Sequence, residues 1–147
     1  MAVSGTVIGV CISSKKSVRK KNIESGVLID NYGLEGDAHA DAETHRQISL
    51  LAIESIKKMQ DMGAKVGIGD FAENLATEGI NLLSLPIGSQ IKVGMEAILE
   101  ITQHGKVCHT PCAIYYQAGM CIMPQEGIFA RVLHGGSIKT GDEIILM

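Results

Sequence analysis

Between Gly105 and Tyr116 the chain reads GKVCHTPCAIYY, which places Cys108, His109 and Cys112 within five residues. Thiolate and imidazole are the preferred ligands of zinc, but a structural zinc site needs four ligands, usually as two separated pairs. A second pair would have to come from Cys11, Cys121 or distant histidines, none at a zinc-finger spacing, so no zinc is expected. Nor is CxxxC the CxxC of thiol oxidoreductases, although neighbouring thiols can still close a transient disulfide. Cys11 and Cys121 lie in the apolar runs VIGVCIS and GMCIMP and are expected to be small buried hydrophobes. Cys112 follows a proline at the end of an apolar strand pattern, where a nucleophile or metal-ligand role competes with packing.

Two polar stretches offer further chemistry. GLEGDAHADAETHRQ carries Glu35, Asp37, His39, Asp41, Glu43 and His45, a set suited to acid–base work or a hard metal, or to a solvated loop. In GDFAEN, Asp70, Glu73 or Asn74 can face a ligand; alternatively Asp70 caps a helix, with Glu73 completing a capping box. KKSVRKK, from Lys15 to Lys21, holds five positive charges in seven residues, which repel one another unless exposed. It reads as a solvated loop or as a cradle for an anion.

These residues must be positioned by a fold of ordinary composition. The 147 residues are 46% hydrophobic and 20% charged, enough for one domain spanning residues 1–147 and a core that needs no disulfides. With no Trp, two Phe and seventeen Gly, the core must be aliphatic and the elements short and turn-linked, a composition that leans toward β. The net charge of −3 argues against a nonspecific nucleic-acid binder, so no nucleic-acid partner is expected. No window reaches the roughly 18 apolar residues of a membrane helix, and the N-terminal stretch lacks the pattern of a secretion signal. The expectation is a cytoplasmic protein with reduced thiols and no membrane association.

Val3 to Ser13, Val27 to Ile29, SQIKVG, EAILEITQHG and DEIILM have strand character. Ile53, Ile56, Met59 and Met62 recur every three residues before Gly63, predicting an amphipathic helix within residues 47–63, with QISLLA as its front or as a separate buried strand. EGIFARVLHGG reads as a short helix closed by its double glycine. About seven short strands with two or three helices suit a mixed barrel better than a regular parallel sheet.

In order, GLEGDAH, HRQISLL, GDFAENLATEGI, LPIGSQIKVG, AILEITQHGKVCHTPCAIYY, EGIFARVL and GSIKTGDEI resemble the MOSC family, the domain also found at the C-terminus of molybdenum cofactor sulfurases. The resemblance covers nearly the whole chain and is to the small stand-alone bacterial type. It implies a mainly β, strongly curved, barrel-like single domain with a few short helices. It also implies that Cys112, at the family's signature position, coordinates the metal of molybdenum cofactor (molybdopterin) or carries sulfur as a persulfide. Cys108 then reads as an auxiliary thiol or a packing residue.

The cofactor is expected in a pocket walled by the GLEGDAH and GDFAEN loops, including Asp37, His39 and Asn74. Its phosphate would be met by Lys15, Lys16, Arg19, Lys20 and Arg46 together with glycine-loop N–H groups. The implied activities are carriage or sulfuration of the cofactor, or reduction of N-hydroxylated compounds with a redox partner. The alternative is a non-catalytic carrier or adaptor that serves the proteins of cofactor biosynthesis. Neither a PLP-lysine desulfurase domain nor the additional N-terminal β domain of longer members is expected in this chain.

Overall fold

The computed structural model describes residues 3–16, 18–105 and 122–147. Cys108, His109, Cys112 and Cys121 lie outside the described residues. The strands are β1 (Ser4–Ile12), β2 (Lys21–Asn22), β3 (Ser25–Ile29), β4 (Gly33–Leu34), β5 (Ile48–Ala52), β6 (Leu75–Glu78), β7 (Gln90–Val93), β8 (Ala97–His104), β9 (Ile128–His134), β10 (Gly136–Lys139) and β11 (Glu143–Leu146). Helix α1 (Ile53–Asp61) follows β5 directly, a 3-10 turn spans Leu82–Ser84, and a four-residue helix α2 covers Met123–Glu126.

Seven strands close a barrel in the order β11-β7-β8-β9-β5-β6-β1, with β1 returning to pair with β11. Closure leaves these strands no free edge. β1 pairs with β11 through Ser4–Thr6, with β6 from Thr6 to Val10, and with β2 at Cys11 and Ile12. A register shift at Val7/Gly9 and two more between β8 and β9 supply the local twist that bends long strands around so small a barrel. β10, β3 and β4 form a separate three-stranded sheet. The expected curved, barrel-like, mainly β architecture is therefore the one observed.

The barrel interior is aliphatic. Val7, Val10, Leu50, Ile91, Leu99, Ile101, Ile128, Ala130, Val132 and Ile144 belong to one cluster in which each is at most 1% exposed. A second cluster of Leu51, Ile56, Met59, Phe71, Met123 and Phe129 packs outside the barrel wall. β5 belongs to both, with Leu50 in the barrel and Leu51 in the outer cluster. That double burial explains why ISLLA, apart from Ser49, reads as an apolar run with no alternation. β5 and β6 are parallel, and α1 lies on the connection between them, as a parallel pair requires.

Three expectations change. EGIFARVLHGG is not helical: Ile128, Ala130 and Val132 alternate into the barrel while Phe129 faces the outer cluster, a period-two pattern that pairs β9 with both β5 and β8. α1 ends at Asp61, and Met62, past its end, is 67% exposed instead of joining the buried stripe. No helix starts at Asp70. Its Oδ2 accepts the Gly67 N–H at 2.8 Å, and both Glu73 carboxyl oxygens accept loop N–H groups in place of a capping box.

Candidate functional site

The polar stretches around His39, Arg46 and Asn74 meet beside the outer apolar cluster. Ser49 and Asn74 join β5 to the start of β6. The Asn74 Oδ1 accepts the Ser49 N–H at 2.9 Å, the Asn74 N–H reaches the Ser49 carbonyl at 3.0 Å, and the Asn74 Nδ2 donates to the Cys11 carbonyl at 3.1 Å. Asn74 thus ties three strands together at a buried position, where every polar atom needs a partner.

Around it lies a cleft of about 330 Å³. Lys16, His39, Asp41, Thr44, Arg46 and Asn74 supply its polar lining, and Phe71, Met123 and Phe129 its apolar wall. Arg46 lies with its guanidinium carbon 5.8 Å from the centre of the Phe129 ring, a cation–π contact that holds the charge over the wall. The backbone leading to it is shaped by two local turns: the Asp41 Oδ1 accepts the Glu43 N–H and the Thr44 Oγ1 accepts the Arg46 N–H.

Behind the cleft is a buried ion pair. Lys20 Nζ lies 2.7 Å from Asp37 Oδ1, and both side chains are 0% exposed. The ammonium also donates to Ser13 Oγ at 2.9 Å and lies 3.0 Å from His39 Nδ1. Asp37 in turn accepts the backbone N–H groups of Ser13 and His39, each at 3.1 Å. Burial alone would raise the Asp37 carboxyl. The Lys20 ammonium, Asn74 and the Ser13 N–H outweigh it and hold the group below its ordinary value.

Deeper still, Glu73 is fully buried and accepts the Gly69 N–H at 2.7 Å and the Phe71 N–H at 3.1 Å. These bonds shape the loop whose Phe71, Ala72 and Asn74 line the cleft. Gly69 adopts φ +91°, and any Cβ there would run into the Lys20 carbonyl, so glycine is required at this close approach. Burial pushes the Glu73 carboxyl up to about 7, against the pull of its N–H donors and with a contribution from Asp70. A carboxyl raised on folding contributes stability fully below its unfolded value and loses it as pH rises through the folded value. Glu73→Gln, which cannot ionise, should therefore gain on the parent by on the order of 3 kcal/mol between about pH 4 and pH 8. Urea unfolding at both pH values measures this, and a parent–variant difference flat in pH would contradict it.

The basic run is divided by the fold. Lys15 is exposed and does not line the cleft, Lys16 lines it, Arg19 lies 3.4 Å from Asp70, and Lys20 is buried. Its charges were expected to need exposure, but Lys20 escapes that requirement because Asp37 neutralises it. Lys16 and Arg46 have no carboxylate partner among the described residues. Lys16, His39, Arg46 and Asn74 are brought to the cleft, and Asp37 stands behind His39. The sequence reasoning missed Ser49, Phe71, Met123 and Phe129 as lining. Ser49 had a readable signal, a lone hydroxyl inside the apolar ISLLA.

Cys11 is buried, and burial first, then the Glu73 charge, pushes its thiol up to about 12. It is an inert packing residue, as expected from its apolar run. Among the described residues no group of three or more His, Cys, Asp or Glu can hold a metal ion. No described helix is long and apolar enough to cross a membrane.

A search of curated proteins returned no match. Among solved structures, YuaD protein from Bacillus subtilis superposes with a TM-score of 0.80 at 24% identity, covering 99% of this chain and 97% of that one. YiiM from Escherichia coli gives 0.68 at 18% identity, with 98% and 69% covered, and YiiM from Geobacillus stearothermophilus 0.67 at 17%, with 97% and 73% covered. At these identities the likeness is one of fold. The family model of the MOSC domain matches residues 35–145, which takes in the GLEGDAH loop from Glu35 on, the GDFAEN loop and, apart from β1 and the last residue of β11, the barrel strands, and the chain accordingly belongs to the MOSC domain family.

Proposed function

We propose that the chain binds molybdenum cofactor in the cleft lined by His39, Arg46 and Asn74 and engages its metal through the Cys112 thiolate. The observation that carries this reading is the convergence of Lys16, His39, Arg46 and Asn74, from separate segments, on one cleft with an aromatic wall. About 330 Å³ falls within the range of small-molecule and cofactor sites. Two cations without carboxylate partners among the described residues suit the phosphate dianion, and Phe71 and Phe129 add apolar lining. The residues present therefore fit the group.

Lys16 and Arg46 would hold the phosphate, Arg46 braced against Phe129. Asn74 is committed to Ser49 and Cys11, so it sets the shape of the floor. Because the metal would arrive within the cofactor, the protein would have to add a single thiolate. When bound, the cofactor supplies a molybdenum centre for oxygen-atom or sulfur chemistry. Carriage or sulfuration of the cofactor, or reduction of N-hydroxylated compounds, are the activities that such a site serves.

The test is metal and pterin analysis of the chain purified from a cofactor-competent host. Molybdenum and pterin in equal amounts, bound to the chain, are the expected result; a chain free of both overturns the reading. Arg46→Ala should lower retention roughly tenfold or more, the scale of losing one charge-assisted bond to phosphate. Retention equal to the parent's would remove Arg46 from the phosphate site.

A further inference from the structure

The cleft mixes charges. Lys16 and Arg46 share its lining with a carboxylate, Asp41, and none of the three has an ion-pair partner of opposite sign among the described residues. In a pocket built for an anion alone, an unneutralised carboxylate is a liability, because it repels the ligand that the cations attract. Its presence makes sense where the ligand also brings groups that a carboxylate can bind.

Asp41 is held in place. Its N–H donates to the Tyr32 carbonyl at 2.9 Å, and its Oδ1 accepts the Glu43 N–H at 2.8 Å, which fixes the carboxylate on the loop that leads to Arg46. Oδ2 accepts no hydrogen bond among the described residues. An ionised carboxylate accepts at both oxygens and donates at neither, so what it recognises in a ligand is a set of N–H or O–H donors. Two parallel donors match it as the two N–H groups of an arginine fork do. The cations require the reverse, an anionic group with acceptor oxygens. A ligand that satisfies all three side chains is therefore anionic in one part and carries N–H donors in another. A flat 2-amino-4-oxo heterocycle bearing a phosphate has both, because its amino group and the neighbouring ring N–H lie side by side on one edge.

We propose that Asp41 is a specificity-determining residue of the cleft, its carboxylate accepting the paired N–H donors of a 2-amino-4-oxo heterocycle while Lys16 and Arg46 hold the phosphate of the same ligand. The proposal rests on the reading of the cleft as the cofactor site and deepens it, since a pterin has this edge. Asp41 then also works by exclusion. A phosphate without the donor edge meets the carboxylate charge and gains nothing from it, so inorganic phosphate binds poorly.

Guanosine monophosphate and inosine monophosphate isolate the feature: both carry a phosphate and the ring N–H, and they differ by the amino group. The full chain, prepared without cofactor, is titrated with each by calorimetry at neutral pH. Guanosine monophosphate should bind roughly tenfold more tightly, the scale of one hydrogen bond to a charged group. Asp41→Asn keeps an oxygen for the Glu43 N–H, and with it the turn, but replaces the second oxygen with a donor. In this variant the preference should fall to near unity, while inorganic phosphate binds more tightly than to the parent because a like charge has gone. A distorted loop would weaken all three ligands together, so the divergence separates recognition from structure. Equal binding of the two nucleotides to the parent, or a preference that survives in Asp41→Asn, overturns the proposal.

Should neither nucleotide bind, retention of molybdenum and pterin by chains made in a cofactor-competent host decides. Asp41→Asn should hold roughly tenfold less than the parent, again the worth of one charge-assisted bond, and equal retention overturns the proposal. A parent that retains no cofactor yet prefers guanosine monophosphate through Asp41 removes the cofactor reading and leaves the carboxylate's role standing. A parent that binds neither nucleotide and retains no cofactor overturns both.

Discussion

Asp37→Ala should cost about 3–5 kcal/mol of folding stability, the range for a buried charge stripped of its partner. Against a total of about 5–15 kcal/mol for a typical domain, that is a large share. The reason lies in what each partner keeps. Without Asp37, the Lys20 ammonium stays fully buried with only a hydroxyl and an imidazole nitrogen to receive its protons. Without Lys20, the Asp37 carboxylate still accepts the Ser13 and His39 N–H groups. Lys20→Met should therefore be the milder change, and combining it with Asp37→Leu should recover much of the loss, because two apolar groups leave no uncompensated charge. Urea unfolding of the three variants at neutral pH gives the order directly. If Asp37→Ala lies within about 1 kcal/mol of the parent, as surface changes do, the pair is not the strut described here. The acid side offers a second check. A carboxyl depressed on folding contributes stability above its unfolded value, 3.8, and loses it as pH falls through the folded value. Asp37→Asn should lack that acid-induced loss.

Cys112→Ala should abolish molybdenum retention while leaving stability within about 1 kcal/mol of the parent, since a ligating or sulfur-carrying thiol has to be accessible and not packed. Cys11→Ala should do the reverse. Cys11 is 0% exposed, so losing its sulfur costs about 1 kcal/mol or more of packing and leaves the cofactor in place. Cys108→Ala should have a milder effect on retention than Cys112→Ala. Iodoacetamide under native conditions, read by peptide mass spectrometry, separates the thiols by a different property. Cys11, buried and with its thiol pushed up to about 12, should label slowest, and Cys112 fastest. Slow labelling of Cys112, with cofactor retained in its alanine variant, would sink its assignment.

The two sets of variants bear on different parts of the molecule. Lys20 and Asp37 brace the cleft from behind, and their loss reads out as unfolding. Cys112 concerns what the cleft holds, and its loss reads out as missing metal in a folded chain. Obtaining both results from one protein would separate scaffold from chemistry.

Local pattern alone determined much of this protein. Alternation in SQIKVG, EAILEITQHG and DEIILM marked β7, β8 and β11, because side chains on a strand face opposite sides whatever the strand pairs with. The apolar run around Cys11 marked a buried thiol, and the ordered GLEGDAH, GDFAEN and later motifs pointed to the MOSC family, whose match spans residues 35–145. Other features had no local signature. FARVLH fits a helix by spacing until β5 and β8 arrive on either side, and it is their hydrogen bonds that hold Ile128, Ala130 and Val132 at period two. In KKSVRKK five like charges look equally exposed. Only the fold sends Lys20 inward and leaves Lys16 at the cleft, because Asp37, seventeen residues away, reaches the one ammonium it can neutralise. Whether a charge is a solvated surface group or a buried strut depends on a partner's position, and that position exists only once the barrel has closed.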